Sequence, residues 1–252
     1  MSARGHAFGI DIGGSGVKGA AVDLATGELV HERIKIATPR PATPDAVADT
    51  TARLVAEAGW DGPVGITMPA VVLGGVTRTA ANIDKSWIGT DARTLFSTAL
   101  GGREVTVLND ADAAGLAEDR YGAAAEYSGL VLLLTFGTGI GSALLYNGTL
   151  VPNSELGHLE IGGMEAEHRA AASVKDRRGL GYEQWATEVS TVLSGLEDLF
   201  WPNVIVAGGG ISRDADRWIP LLTNRTPVVA ARLRNTAGIV GAAMAVETHL
   251  VP

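Results

Sequence analysis

Three short stretches of the chain carry side chains of the kind that do chemistry. Asn109-Asp110 follows an apolar run at residues 105–108 that reads as a buried strand. Strand ends leading into loops are where α/β proteins place reactive groups. A carboxylate there can accept a proton from a hydroxyl whose oxygen attacks phosphorus. The same carboxylate can instead cap a helix, since residues 111–121 have helix-favouring composition and Asp110 or Asp112 would serve as cap. Asn109 offers both a donor and an acceptor, which suits a pair of sugar hydroxyls. Glu155-Leu156-Gly157-His158 places an acid and an imidazole three residues apart across a glycine, where both can take hydroxyl hydrogen bonds from one polyol. Two ligands of a metal would also fit, as would a buried histidine with an ordinary partner. With no cysteine in the chain, third and fourth zinc ligands are not visible, so no zinc is expected.

The third stretch is a glycine turn, and it has two companions. Asp11-Ile12-Gly13-Gly14-Ser15-Gly16, Gly137-Thr138-Gly139-Ile140-Gly141 and Gly208-Gly209-Gly210 each follow an apolar strand. Backbone amides in such turns can converge on phosphate oxygens. A tight hairpin also calls for glycine, but three turns, two in matching positions, favour phosphate. The pattern GxxxxGK[ST] is absent, and the first turn leads to a strand rather than to the helix a dinucleotide fingerprint requires. Asp11 beside that turn can hold Mg²⁺, directly or through water, or simply bond the turn's own amides.

The elements that must position these groups alternate. Residues 7–12 and 17–22 read as strands around the first turn, 44–58 as a helix, 64–68 as a buried strand and 90–100 as a helix. A second cycle opens with strands at 130–136 and 142–146, followed by a helix at 183–200 and a strand at 204–207. Val228 and Val229 mark a last short strand, and 237–248 a helix rich in small residues. An offset of 124 lays Asp11 on Thr135 and Gly13 on Gly137, which suggests two related halves. The expected organisation is an N-terminal α/β domain over 1–112, a C-terminal α/β domain over 113–236 and a final helix, 237–252, packing back on the first.

Bulk properties narrow the function classes. A net charge of −8 argues against general nucleic-acid binding and means any phosphate site is built locally. Only about seven residues precede the first strand, too few for a DNA-binding module. No secretory signal is seen, and the most apolar region, residues 129–145, is short and broken by glycine, so a membrane span is not expected. A chain without cysteine is compatible with a reducing cytoplasm.

Taken together, Asp11-Ile12-Gly13-Gly14-Ser15, Leu108-Asn109-Asp110-Ala111-Asp112-Ala113, Phe136-Gly137-Thr138-Gly139-Ile140-Gly141 and Glu155-Leu156-Gly157-His158 resemble, in order and over nearly the whole chain, the ROK family of repressors, open reading frames and sugar kinases. The resemblance implies an α/β, two-domain actin/hexokinase-type (ribonuclease H-like) fold with a catalytic cleft between the domains. It implies Asp110 as catalytic base, with Asn82, Asn109, Glu155 and His158 on the sugar. It also puts the turns at Gly13 and Gly137 on phosphate and the turn at Gly208 near the nucleotide. Many family members follow the Gly-His pair with a cysteine-rich zinc motif ending in a sugar-binding glutamate. That motif is missing here, and Glu167 is the candidate for the displaced glutamate, with Glu160 and Glu165 as rivals.

Asn82-Ile83-Asp84-Lys85-Ser86-Trp87 and the segment from His168 to Arg178 are similar to a subgroup, the actinobacterial polyphosphate glucokinases. That likeness implies glucose, and for some members mannose, as acceptor, polyphosphate or ATP as donor, and a homodimer. Arg169, Lys175, Arg177 and Arg178 then read as one basic helix lining a track for a linear polyanion, with Lys18 and Lys85 as further cations. A solvated helix face with i, i+4 pairs is the plainer account of the same residues.

Overall fold

In the computed structural model, residues 5–248, 250 and 252 are described. The chain forms two compact units, one made of Met1–Ala117 with Asn235–Pro252 and the other of Glu118–Arg234. It passes from the first to the second inside a helix and returns after Arg234.

The first unit is built on strands β1 (His6–Gly13), β2 (Gly16–Asp23), β3 (Ile34–Ile36) and β4 (Val64–Met68), a small hairpin of β5 (Val72–Leu73) and β6 (Val76–Thr77), and β7 (Val105–Asn109). Its main sheet has the order β3-β2-β1-β4-β7, with β1–β2 and β2–β3 antiparallel and β1–β4 and β4–β7 parallel. Helices α1 (Pro44–Glu57) and α2 (Ala92–Ala99) share one apolar cluster with the sheet through Val47, Leu54, Val55, Phe96, Phe8 and Ile10. Proline near the first position of α1, with Asp45 in its first turn, suits a helix start. Helix α2 begins at Ala92, later than the 90–100 pattern predicts, because the Asp91 side chain accepts from the Thr94 amide at 2.9 Å.

Gly9 lies one residue from Phe8 and Ile10 and so points to the opposite face. A Cβ at Gly9 would overlap the Ile239 carbonyl oxygen, and one at Gly65 the Ala242 carbonyl oxygen, both on helix α8 (Ala237–Glu247). The chain's last helix therefore seats backbone against sheet, which only its run of Gly and Ala and the strand glycines permit.

Helix α3 (Asp110–Arg120) follows β7 directly. Its cap is neither Asp110 nor Asp112, as the sequence suggested, but Asn109, whose Oδ1 accepts from the amides of Ala111 at 2.8 Å and Asp112 at 3.2 Å. The strand runs one residue further than its apolar pattern, and that brings the asparagine into capping position.

The second unit repeats the plan. Strands β8 (Leu130–Phe136), β9 (Ile140–Tyr146) and β10 (Thr149–Val151) precede a small hairpin, β11 (Glu160–Ile161) and β12 (Met164–Glu165). Then come α4 (Ala166–Ala170), α5 (Ala172–Arg178), α6 (Tyr182–Phe200), β13 (Val204–Gly208), α7 (Ala215–Trp218) and β14 (Val228–Ala230). The sheet order is β10-β9-β8-β13-β14, with antiparallel and parallel pairs in the same places as in the first unit. This shared order and direction bears out the two related halves read from the sequence. The core holds Phe136, Trp185 and Trp218, with the two tryptophan rings 4.9 Å apart in edge contact. The basic segment is not one helix. Ala171, with ψ 150, breaks it into α4 and α5, so Arg169 stands on a different helix from Lys175, Arg177 and Arg178. Among the described residues no helix is long and apolar enough to cross a membrane.

Candidate active site

In the first unit, parallel strands end together, and their ends gather the residues singled out above. Asp11 of β1 pairs across the hairpin with Lys18 and across the parallel ladder with Thr67, while Met68 pairs with Asn109. Asp11 Oδ2 is 3.2 Å from Lys18 Nζ, and its Oδ1 accepts from the Thr67 hydroxyl at 3.2 Å. Thr67 is fully buried and carried no functional expectation, although a polar residue within the apolar run 64–68 was a signal that it has a specific partner. The turn after Asp11 is tight. Gly13 faces Gly16, its carbonyl accepts from the Thr38 hydroxyl at 2.5 Å, and the space a Cβ of Gly14 would fill adjoins Asn82. Asn82 itself has φ 59 and is exposed.

Asp110 is exposed at the first position of α3, its Oδ1 accepting from the Ala111 amide at 2.9 Å. Asn109 is buried beneath it, with Nδ2 donating to Ala70 O at 3.2 Å. Since Oδ1 caps the helix and one Nδ2 hydrogen is taken, the second Nδ2 hydrogen is what Asn109 can offer a ligand. Lys85, in a turn of 3-10 helix, reaches back to Ala80 O at 3.4 Å.

In the second unit the other two glycine turns are neighbours. Gly208 of β13 pairs with Thr135 of β8, and a Cβ at Gly209 would overlap Phe136 O. Gly209, with φ 82, directs the chain into a 3-10 helix, Gly210–Asp214, so this turn opens a helix where the other two close hairpins. The Gly137–Gly139 turn is tied down by Ser173, whose amide donates to Gly137 O at 3.0 Å and whose hydroxyl donates to Thr138 O at 2.6 Å. Helix α5 thus starts from the turn.

Glu155 precedes and His158 ends a 3-10 turn, Leu156–His158, whose Gly157 presses so closely on Ile140 O that no Cβ fits. Ser142, almost fully buried, holds the approach to this turn by donating to Ser154 O at 2.6 Å and accepting from the Leu156 amide at 2.9 Å. Glu167 Oε2 accepts from the Ile140 amide at 3.4 Å and occupies the space a Cβ on Gly139 would need. The carboxylate therefore joins the glycine turn to the histidine, for Glu167 Oε1 is 3.8 Å from His158 Nδ1. Glu165 is closer still, its Oε2 3.2 Å from the same nitrogen, and Glu155 Oε2 lies 3.8 Å from Nε2. Burial, partly offset by His158 and reinforced by Glu167, pushes the Glu155 carboxyl above its usual range. The hydrogen bond to Glu165 raises His158, against some burial and with help from Glu167 and Glu155. His158, Glu165 and Glu167 bring ligand atoms within 4.8 Å of one another, so the fold supplies the third donor that cysteine counting did not reveal. Glu160, on the neighbouring strand, does not join that group.

The track cations differ in their commitments. Arg169 Nη1 is 2.8 Å from Glu188 Oε2, and Arg178 Nη1 is 3.3 Å from Glu188 Oε1. Lys175 lies 4.7 Å over the Tyr182 ring and 3.5 Å from Asp176. Arg177 is exposed, without such a contact.

The chain is similar over nearly its whole length to proteins of known activity. The chain is 64% identical over 240 residues to a polyphosphate glucokinase of Mycobacterium tuberculosis, covering 95% of this chain and 91% of the relative. It is 62% identical over 244 residues to the polyphosphate glucokinase of Mycobacterium leprae, covering 97% of this chain and 75% of that one. The crystal structure of the inorganic polyphosphate/ATP-glucomannokinase from Arthrobacter sp. strain KM superposes with a TM-score of 0.92 at 49% identity, covering 98% of this chain and all of that one. The α/β fold is of the actin/hexokinase type, as expected. With the ROK family model matching residues 7–172, the chain belongs to the ROK family.

Proposed function

We propose that this protein transfers a phosphoryl group from inorganic polyphosphate or ATP to the 6-hydroxyl of glucose, with mannose as a second acceptor. The observation that carries the reading is Asp110, an exposed carboxylate fixed at a strand-to-helix junction by the Asn109 cap, in a chain 64% identical to a polyphosphate glucokinase. Asp110 takes the proton of the attacking hydroxyl. Asn109, Asn82, Glu155, His158 and Glu167 bind the sugar's other hydroxyls. Amides of the turns at Gly13, Gly137 and Gly208 bind donor phosphates, since none of them needs a side chain to reach an anion.

Phosphoryl transfer implies Mg²⁺, and Asp11 fits a hydrated ion. Lys18 and Thr67 already engage its two oxygens, so Asp11 would hold the ion through water more readily than directly. When bound, the ion offsets negative charge on the transferring group. Lys18 holds Asp11 in place and adds a positive charge beside the first turn.

Asp110→Asn keeps the cap and the shape, so glucose binding is expected to persist while turnover falls by about two orders of magnitude or more. Near-normal turnover would overturn the assignment. An ATP-only donor range is the second reading, favoured by the pairing of Arg169 and Arg178 with Glu188. Initial rates with polyphosphate and with ATP separate the two. The homodimer that the resemblance implies belongs to this reading, and sedimentation velocity tests it.

A further inference from the structure

His158 has four ionisable neighbours within its own unit, and they do not face it equally. Glu155 Oε2 stands 3.8 Å from Nε2, and Glu167 Oε1 stands 3.8 Å from Nδ1. Neither distance is a hydrogen bond. Only Glu165 Oε2, at 3.2 Å from Nδ1, is within bonding reach. The fourth group, His168, contacts the same carboxylates rather than the ring, with Nδ1 3.7 Å from Glu165 Oε2 and Nε2 3.9 Å from Glu167 Oε1. Glu167 has its other oxygen at the Ile140 amide, which holds it toward the glycine turn.

We propose that Glu165 is a positioning residue: it keeps the His158 ring proton on Nδ1, so that the neutral imidazole presents Nε2 as an acceptor to a sugar hydroxyl. A carboxylate accepts and never donates when ionised, so its partner nitrogen must carry the hydrogen. Which imidazole nitrogen is protonated is set by the bond the other makes. Nε2 then faces Glu155 across a gap too wide for a direct bond, and a hydroxyl placed there can donate to Nε2 while accepting from a protonated Glu155, or turn to the carboxylate instead. The carboxyl pKa of Glu155, raised by burial, keeps the first arrangement accessible further toward neutral pH. Glu165 lies on β12, across a tight hairpin from β11, so its bond to the ring also anchors the 155–158 turn to the segment that leads into α4. The inference rests on the reading of His158 as a sugar ligand.

The test is ¹⁵N NMR of histidine-labelled, sugar-free protein at a pH above the histidine titration, with the His158 signal assigned by its loss in His158→Gln. The wild-type ring is expected as the Nδ1–H tautomer, and Glu165→Ala is expected to return it to Nε2–H, the form an unconstrained side chain prefers. The same variant is expected to raise the KM for glucose about 2- to 10-fold, the worth of one hydrogen bond, with kcat within about 2-fold. An Nε2–H tautomer in the wild type, or a tautomer unmoved in Glu165→Ala, overturns the proposal. A glucose KM unchanged in His158→Gln would sink the sugar reading instead and leave the tautomer result standing.

Discussion

Glu188 sets how much positive charge the basic segment can offer a polyanion, and the consequence can be worked through. Its two oxygens hold Arg169 at 2.8 Å and Arg178 at 3.3 Å, while Arg177 is exposed and not so engaged. Arg177 lies four residues beyond Ser173, about 6 Å along a helix at 1.5 Å per residue, and Ser173 is bonded to the Gly137–Gly139 turn. On the proposed reading, a chain of phosphates leaving that turn along α5 would meet Arg177 as its first uncommitted cation. One exposed guanidinium–phosphate contact is worth about 0.5–1 kcal/mol, so Arg177→Ala should raise the polyphosphate KM about 2- to 5-fold. Arg178→Ala should cost less, because Glu188 already competes for that side chain. Glu188→Gln releases Arg169 and Arg178 and removes a negative charge, so it should lower the polyphosphate KM by about 2- to 5-fold. Its price in stability should be about 1–2 kcal/mol, since the Arg169 pair is mostly buried. Initial rates against polyphosphate and ATP, at several salt concentrations, decide the matter. The Glu188→Gln gain should fade with added salt, as screening of exposed charge requires, and the ATP KM should stay within about 2-fold. A polyphosphate KM that rises in Glu188→Gln, or equal losses for both donors in Arg177→Ala, would refute the track.

Glu197, buried on α6, accepts from Asn224 Nδ2 at 2.9 Å, the Thr226 amide at 2.5 Å and the Arg225 amide at 3.1 Å, so Glu197→Gln should cost about 1–3 kcal/mol in urea unfolding. Burial raises this carboxyl, but the bonds from Asn224, Thr226 and Arg225 outweigh it and the net shift is downward. Its stabilisation is thus present above the unfolded value near ~4.3 and lost as pH falls through the lower folded value. The gap between wild type and Glu197→Gln should close in that acid range, and a gap constant down to acid unfolding would refute the linkage. Gly65→Ala drives a methyl into the Ala242 carbonyl and should destabilise by about 1–3 kcal/mol or more, read as a lower denaturation midpoint. An unchanged midpoint would mean α8 does not seat on the sheet as described.

The longer strands were legible because each is an apolar run stopped by glycine or a polar pair, and β4 and β8 match residues 64–68 and 130–136 end for end, whereas the short edge strands β3 and β10 and the two-residue hairpin strands carry no such run and were not read. Local chemistry that competes over one or two residues was less so. Asp110, Asp112 and Asn109 all cap well in principle, and the extra residue of β7 decided among them. The break at Ala171 is invisible in a helix-favouring sequence, since what imposes it is Ser173 bonding the 137–138 carbonyls from far along the chain. Glu118 shows the same limit. Its helix was read from composition alone, which says nothing of its partners, yet it is buried and accepts from the amides of Ala123 at 2.8 Å, Arg232 at 3.0 Å and Leu233 at 2.7 Å. Partners so distant in sequence leave no local periodicity to detect. In the candidate site, residue types were readable, but the pairing of His158 with Glu165 was not, because a hairpin brings them together.

The two halves share a sheet plan but not a chemistry, and the register explains how. An offset of 124 aligns the first strands, Asp11 with Thr135, whereas the second strands align at 123, because Asp11 faces Lys18 and Thr135 faces Gly141. The slip of one residue shortens the second turn, and the charged pair of the first half has a neutral threonine and a glycine as its counterparts. Carboxylates suited to a cation and to a proton, Asp11 and Asp110, therefore both belong to the first unit. The second contributes two adjacent glycine turns and the Glu155–His158–Glu165–Glu167 group. Two sheets of one plan with unlike turns thus differ in charge: on the proposed reading, the carboxylates for a cation and for a proton both fall in the first unit, while glycine turns and hydroxyl-reading side chains fall in both. Restoring charge symmetry with Thr135→Asp should then raise the KM for the phosphoryl donor in initial-rate assays, since a carboxylate beside the Gly137 and Gly208 turns would repel the phosphates proposed to bind there, and an unchanged donor KM would count against those turns as the donor site.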